Sequence, residues 1–175
     1  NSVVLTRFLR ESAISITLDH PHIVKGLESG RSEDLYYLVL EFIDGITLQQ
    51  YVSRFGPMPP DRVVSVAIIV SNALYYAWGK GLTHRDIKPE NIMVAKSGQL
   101  KVCDFGLAKL ADANIAVTMT GTIIGSPYYI APEQVSGATD LDYRSDIYSL
   151  GATLYYLLTG HVMFDEKTML AICNA

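Results

Sequence analysis

Three polar side chains lie in a stretch of the sequence that otherwise has the character of buried strand. Asp86, Asn91 and Asp104 all fall within HRDIKPENIMVAKSGQLKVCDFG. Residues 92–95 and 100–103 are short apolar segments, and the turn residues between them predict a β-hairpin. Because a hairpin returns the chain to where it left, we expect Asp104 to lie beside Asn91.

Two carboxylates and one amide placed in this way suit the transfer of a phosphoryl group. That reaction needs oxygen ligands for Mg²⁺, a carboxylate that accepts the proton of a hydroxyl group, and positive charge near the transferred phosphate. We expect Asp86 to accept the proton, and Asn91 and Asp104 to bind the metal. Lys88, two residues after Asp86, is expected to neutralise the phosphate.

Three tripeptides follow one another in the sequence: HRD at residues 84–86, DFG at residues 104–106 and APE at residues 131–133. In this order, with Lys88 and Asn91 in register, they resemble the signature set of the eukaryotic-type protein kinases. The segments LVLEFIDGITL, APEQVSG and DIYSLGATLYYLLTG are similar to those of bacterial Ser/Thr protein kinases. The resemblance spans essentially the whole chain.

The resemblance implies transfer of the γ-phosphoryl group of ATP to Ser or Thr hydroxyl groups of proteins, with Mg²⁺, or alternatively Mn²⁺, as the metal. Lys88 together with Gly125, Ser126 and Pro127 favours Ser/Thr over Tyr as the acceptor. Protein substrates, ATP and a second copy of the chain, for activation in trans, are the expected partners. Two alternatives stay open, a pseudokinase or scaffolding module with a kinase fold and a small-molecule phosphotransferase with a related core.

The implied fold is an α+β, two-lobe protein-kinase-like fold that is truncated at both ends. Residues 1–43 are expected to be a partial β-rich N-lobe, and residues 44–175 a mostly helical C-lobe that is incomplete at its C-terminus. A kinase domain begins with a glycine-rich loop over the ATP phosphates and a strand Lys that pairs with a helix Glu. Neither is found in the sequence, so we interpret it as an internal fragment that is inactive alone.

Local patterns predict the elements of these two lobes. The N-lobe is expected to contain an amphipathic helix at residues 3–18 and strands at residues 23–28 and 35–42 around a polar turn at residues 30–34. In the C-lobe, Thr47 is a suitable N-cap for a helix that ends before Gly56, a helix follows at residues 61–80, and another lies at residues 143–159. The helix at residues 61–80 is apolar on most of its sides, which predicts that it is buried in the middle of the domain.

The segment LEFIDG, which begins at Leu40, resembles the linker between the two kinase lobes. The resemblance implies that Leu40 is the gatekeeper and that backbone groups of Glu41 and Ile43 bind the adenine edge. Met93 would pack under the adenine ring, although an ordinary core methionine fits the same position. The implied cofactor-binding residues are Glu41, Ile43, Met93, Lys88, Asn91 and Asp104.

The resemblance also implies structural or regulatory roles for Glu11, Arg85, Phe105, Gly106, Thr118, Thr120, Glu133 and Asp146. Glu11 would pair with the missing Lys, although a solvated helix glutamate is the simpler interpretation. Arg85 is either a structural link within its loop or the cation that receives a phosphate from Thr118 or Thr120. Asp146 would accept hydrogen bonds from the loop backbone, unless it only caps its helix. Glu133 would pair with an Arg outside the chain.

Composition excludes several other classes of protein. The 175 residues, of which 49% are hydrophobic, predict about one globular domain. A formal net charge of -4, without a cluster of Lys and Arg, argues against nucleic acid or an anionic membrane as a partner. Cys103 and Cys173 form no CxxC pair, which indicates a reducing compartment and no structural metal. No apolar run is long enough to cross a bilayer, so a cytoplasmic location is expected, with a membrane anchor elsewhere in a full-length protein left open.

Overall fold

The computed structural model describes residues 2–33, 35–105, 127–136 and 141–164, without the side chains of residues 2–5, 7, 11 and 127. Its elements follow in the order α1 (Ser2–Thr17), β1 (Gly26–Ser32), β2 (Leu35–Leu40), β3 (Gly45–Thr47), α2 (Leu48–Phe55), α3 (Pro60–Gly79), a 3-10 turn (Pro89–Asn91), β4 (Ile92–Ala95), β5 (Leu100–Val102), a second 3-10 turn (Pro127–Tyr129), α4 (Pro132–Val135) and α5 (Tyr143–Thr159). Among these helices, none combines the length and apolar character needed to span a membrane.

The first sheet is an antiparallel pair of strands, β1 and β2, against which α1 packs. The predicted turn at residues 30–34 is wrong, because β1 continues to Ser32 and the chain turns at Glu33, where φ is +53°. The polar residues before the turn are strand because they pair across the sheet, with Gly30 opposite Tyr37. A Cβ atom at Gly30 would lie 2.5 Å from the Tyr37 hydroxyl oxygen, so the ring occupies the space that a side chain would need.

The second sheet has the strand order β3-β4-β5 and contains the hairpin that the sequence predicts. In this hairpin, Ile92 lies opposite Val102. The Val24 N–H donates to the Val102 carbonyl group at 2.9 Å, which joins the chain ahead of β1 to this sheet. A Cβ atom at Gly45 would collide with the Val94 carbonyl oxygen, so the close approach of β3 to β4 requires glycine there.

The helices α2 and α3 follow the predicted boundaries closely. Thr47 caps α2 by accepting the Gln50 N–H at 3.1 Å, and α2 is closed by Gly56, whose φ is +80°. The prediction that α3 is buried in the middle of the domain is wrong, because only one stripe faces the core while Val64 and Ile68 are more than half exposed. The buried stripe recurs at intervals of one to four residues: Val63, Val66, Val70, Ala73, Leu74 and Ala77.

The core lies between α3 and α5 and extends to the loop before the hairpin. Ile87 and Ile92, on either side of Asn91, are fully buried in it together with Leu157 of α5. At the edge of the contact between α3 and α5, the ring centroids of Trp78 on α3 and Tyr143 on α5 lie 4.7 Å apart. The loop that contains the predicted site is therefore seated directly on the core.

Candidate active site

A buried carboxylate from α5 holds the start of the loop at residues 84–91. The N–H groups of His84 and Arg85 donate to Asp146 Oδ2 at 2.9 Å and Oδ1 at 2.6 Å. Asp146 is only 3% exposed. Burial raises the pKa of the Asp146 carboxyl group, while the two backbone donors favour its charged form. The structure thus places Asp146 in contact with the loop backbone, one of the two arrangements that the sequence left open.

The backbone at two predicted site residues adopts a conformation that L-residues rarely take. The φ angles are +68° at Arg85, within the loop, and +61° at Asp104, after β5, both in the left-handed region. Each such residue costs about 1–3 kcal/mol and persists only where its surroundings hold it in place. The Arg85 guanidinium group donates to the Leu141 carbonyl oxygen at 3.4 Å, a link within the fold. Its second suggested role, as a phosphate receiver, stays a prediction because Thr118 and Thr120 lie outside the described residues.

Asp86 is the centre of a small polar group at the protein surface. Lys88 Nζ lies 2.6 Å from Asp86 Oδ2, and Asn91 Nδ2 donates to the same oxygen at 3.0 Å and to the Asp86 carbonyl oxygen at 2.8 Å. The Asp86 side chain is 40% exposed. Within the part of the chain that the structure describes, the side-chain contacts of Asp86 use Oδ2, and Oδ1 is the oxygen that could accept a proton. The structure therefore brings together three residues that the sequence assigned to one reaction.

The hairpin brings the two predicted metal ligands close along the backbone. The Cys103 N–H donates to the Asn91 carbonyl oxygen at 2.9 Å, so Asp104 follows directly after the partner of Asn91. The amide hydrogens of Asn91 are used by Asp86, which leaves the amide oxygen for a cation. The Asp104 side chain is exposed.

These residues fit Mg²⁺, which takes one or two protein oxygens and completes its coordination with water and phosphate. In residues 2–33, 35–105, 127–136 and 141–164, no group of three or more His, Cys, Asp and Glu side chains could hold a metal. A site of one amide and one carboxylate oxygen therefore requires a phosphate ligand to bind the metal well. Asn91 and Asp104 would hold Mg²⁺ in this way.

The ring of His84 connects Asp86 to the strand that precedes Asp104. Its Nδ1 accepts the Asp86 N–H at 3.2 Å, so Nε2 carries the proton and donates to the Cys103 carbonyl oxygen at 2.7 Å. The Phe105 ring lies edge-on to the His84 ring, with centroids 4.6 Å apart, and is buried. Sequence reasoning treated His84 only as part of a motif and missed this link.

Glu41 is fixed by contacts of its side chain and its backbone. Lys101 Nζ and the Lys25 N–H both reach Glu41 Oε1, at 2.5 Å and 2.8 Å, and the Glu41 N–H donates to the Lys25 carbonyl oxygen at 2.9 Å. Burial acts to raise the pKa of Glu41, but the hydrogen bonds from Lys101 and Lys25 outweigh it and lower that pKa. The carbonyl group of Glu41 therefore belongs to a residue with a fixed orientation. Sequence reasoning missed Lys101, which no tripeptide marks.

The segment around α4 contacts the loop through a residue that the sequence analysis did not select. Gln134 Nε2 donates to the Arg85 carbonyl oxygen at 2.8 Å. Its neighbour Glu133 accepts a hydrogen bond from Ser145 Oγ at 2.6 Å, while the predicted Arg partner of Glu133 is not in the chain. Ala131 has no side-chain acceptor, so the segment does not match a capping box, and the sequence offered no signal for Gln134.

The remaining predicted residues are placed less completely. Met93 is half-buried on β4 opposite Thr47, and Ile43 is half-buried between β2 and β3. The side chain of Glu11 and the whole of Gly106 lie outside the described residues.

Burial, together with the charges of Asp104 and Glu41, raises the pKa of the Cys103 thiol to about 12. That thiol is protonated at neutral pH, where a reactive thiolate would be required for nucleophilic chemistry.

Comparison with known proteins shows which family of proteins this chain belongs to. The family model described as the protein kinase domain matches residues 1–174. The chain therefore belongs to the protein kinase domain family, and the resemblance predicted from HRD, DFG and APE is confirmed. The crystal structure of Rad53 1-466 in complex with AMP-PNP superposes with a TM-score of 0.79 at 28% identity, covering 96% of this chain and 42% of that one. The predicted two-lobe α+β fold is likewise confirmed.

Particular relatives are bacterial Ser/Thr kinases, as the sequence predicted. The probable serine/threonine-protein kinase PknB of Lactococcus lactis is 39% identical over 172 residues, which are 98% of this chain and 27% of that protein. Serine/threonine-protein kinase PrkC of Bacillus subtilis is 38% identical over 96% of this chain and 26% of that protein. Serine/threonine-protein kinase PknB of Mycobacterium tuberculosis is 42% identical over 95% of this chain and 27% of that protein. The chain thus spans about a quarter of the length of these relatives.

Proposed function

We propose that this chain is the catalytic part of a protein kinase that transfers the γ-phosphoryl group of ATP to Ser and Thr hydroxyl groups of proteins. The observation that carries the proposal is the contact of Asp86 with both Lys88 and Asn91 in a half-exposed loop. In this proposal residues 1–43 belong to the N-lobe and residues 44–175 to the C-lobe. The relatives named above support the Ser/Thr class.

Asp86 is the catalytic base in this mechanism. Its Oδ1 accepts the proton of the substrate hydroxyl group, while Oδ2 stays bonded to Lys88 and Asn91. Lys88 places positive charge beside the transferred phosphoryl group, which stabilises the charge of the transition state. Asn91 and Asp104 would hold Mg²⁺, which would neutralise charge on the ATP phosphates. Catalysis by this site consists mainly of positioning and electrostatic stabilisation.

The nucleotide would bind between the segment at residues 40–45 and strand β4. The Glu41 carbonyl group and the Ile43 N–H would contact the adenine edge, and Met93 would pack under the ring. The hydrogen bonds from Lys25 and Lys101 support this assignment, because they fix the orientation of Glu41 before any nucleotide arrives. A preformed binding segment loses less conformational entropy when it binds its ligand.

Regulation in this proposal acts on the strained loop. A phosphate on Thr118 or Thr120 pairs with Arg85, and Glu11 pairs with a Lys that this chain does not contain. Phosphorylation occurs in trans between two copies of the protein, and the kinase domain acts in the cytoplasm. Arg85 is suited to the role because its backbone is already held in place by Asp146.

The proposal is tested by phosphate transfer from labelled ATP to a generic basic protein, with the full-length protein and its Asp86→Asn variant. Loss of the base is expected to lower kcat by about 10²- to 10⁴-fold. Mass spectrometry should place the label on Ser and Thr, including Thr118 or Thr120. The matched control is Asp61→Asn, the same change at an exposed position in the first turn of α3, which should transfer normally.

Two results would contradict the proposal. Equal labelling by the wild-type and Asp86→Asn proteins would remove the role of Asp86. A folded wild-type protein that transfers nothing in the presence of Mg²⁺ would favour a binding module with a kinase fold.

A further inference from the structure

The peptide group between Arg85 and Asp86 is held at both of its polar atoms. Its carbonyl oxygen, on Arg85, accepts Gln134 Nε2 at 2.8 Å, and its N–H, on Asp86, donates to His84 Nδ1 at 3.2 Å. Because a peptide group is planar, two hydrogen bonds in its plane fix its orientation. The Cα atom of Asp86 is part of that plane, so the same two bonds determine where the Asp86 side chain starts.

Arg85 needs this support because its own conformation is unfavourable. Its φ of +68° lies in the left-handed region, and relaxation to an ordinary φ would rotate the following peptide group and move Asp86. Asp146 holds the N–H of Arg85 at 2.6 Å, on the side before the strained residue. Gln134 holds the carbonyl group, on the side after it. Either bond alone would leave one side of Arg85 free to rotate.

The amide of Gln134 is itself oriented by a second hydrogen bond. Its Oε1 accepts the N–H of Ala131 at 3.1 Å, and Ala131 is fully buried. The side chain therefore accepts at one end and donates at the other, which an amide can do and a carboxylate at neutral pH cannot. The choice of Gln at this position matches both partners.

We propose that Gln134 is a positioning residue for catalysis, which fixes the Arg85–Asp86 peptide group and thereby the place of the catalytic base. This inference rests on the proposed function of Asp86. It adds a contact from the segment after APE to the contact from α5, so that the base is correctly placed only when residues 131–136 are folded.

The test compares Gln134→Met and Gln134→Glu in the full-length protein. Met has a similar volume but loses both hydrogen bonds, whereas Glu keeps the acceptor for Ala131 and loses the donor to Arg85. Ser136→Ala is the control, because the Ser136 hydroxyl group is exposed and donates only to the Glu133 carbonyl oxygen among the contacts seen. The readouts are kcat, the KM for ATP, and amide hydrogen exchange at Arg85 and Asp86.

Both Gln134 variants are expected to lower kcat about tenfold, the size expected when the hydrogen bond to the partly buried Arg85 carbonyl group is lost. The KM for ATP should stay within about twofold, and the amides of Arg85 and Asp86 should exchange about tenfold faster. Ser136→Ala should change none of these quantities.

The inference is overturned if Gln134→Met keeps wild-type kcat and wild-type exchange at Arg85 and Asp86. It is also overturned if exchange rises equally throughout the protein, because Gln134 would then act only on overall stability. Asp86→Asn is measured in parallel. If wild type shows no transfer that depends on Asp86, the proposed function fails, while the exchange data still decide whether Gln134 fixes the peptide group.

Discussion

The loop at residues 84–91 and the β1–β2 hairpin are held together in opposite ways. The loop is fixed by partners far away in the sequence, since Asp146 and Gln134 lie 62 and 49 residues from the backbone groups they bind. The side chains of the hairpin bond locally, as Tyr37 does to Glu28, nine residues away at the exposed surface.

The loop contacts are needed to keep the loop in its conformation, whereas the side-chain contacts of the hairpin add to a conformation that the backbone pairing already determines. A strained loop keeps its shape only if buried partners make every alternative leave a polar group unpaired. A hairpin with regular backbone pairing needs no such partners, and exposed polar pairs add little to its stability. Removing single side chains should therefore have large effects at the loop and small effects at the hairpin.

The largest effect is expected for Asp146→Asn. The new amide group faces two backbone N–H donors with one acceptor oxygen, so one buried N–H loses its partner. The free energy of unfolding should fall by about 3 kcal/mol, measured by urea denaturation. Asp61→Asn is the matched control on the surface of α3. If Asp146→Asn lowered the free energy of unfolding by less than an average surface substitution does, the loop would not depend on its contact with α5.

A smaller effect, with a specific pH dependence, is expected for Glu41→Gln. At pH 7 the loss of charge on the partner of Lys101 should cost about 1 kcal/mol of unfolding free energy. Because the folded pKa of Glu41 is lowered, its carboxylate stabilises the fold above the ordinary Glu pKa of about 4.3. That contribution is lost as the pH falls through the lowered pKa. The two proteins should therefore become equally stable in acid, and a difference that grows on acidification would contradict the assignment.

The smallest effect is expected for Tyr37→Phe in the hairpin. The Tyr37 hydroxyl group donates to Glu28 at 2.8 Å, and this bond raises the pKa of Tyr37, but both groups are solvated. Water replaces the lost partner, so urea denaturation should find no change beyond experimental error. If Tyr37→Phe lowered the free energy of unfolding as much as Asp146→Asn does, the distinction between the loop and the hairpin would be removed.

The parts of the molecule that the sequence predicts well are those encoded over short distances. The cap at Thr47, the end of α2 at Gly56 and the hairpin after Asn91 each depend on residues a few positions apart. The predicted turn at Gly30 was wrong because this glycine lies within a strand, where its missing side chain leaves room for the Tyr37 ring on the opposite strand. Local composition does not show that contact. The exposed side of α3 could not be predicted from the sequence, because apolar residues occur on most sides of this helix.

The same limit applies within the candidate site. Asp86, Asn91 and Asp104 could be selected because their side chains carry the chemistry and stand in a recognisable order. Gln134 and Lys101 act on other residues through single hydrogen bonds that span 49 and 60 positions. Neither type of residue is chemically conspicuous, so only the folded structure connects them to the site.

The contact between Trp78 and Tyr143 gives the α3–α5 helix pair an optical signal of its own. The chain contains a single tryptophan, and its ring lies 4.7 Å from that of Tyr143 across the edge of the α3–α5 contact. Excitation at a wavelength that tyrosine does not absorb therefore yields emission from one known position. Separation of α3 from α5 would transfer the half-exposed indole fully into water and shift its emission to the red. Fluorescence can thus follow the unfolding of this helix pair separately from that of the two sheets.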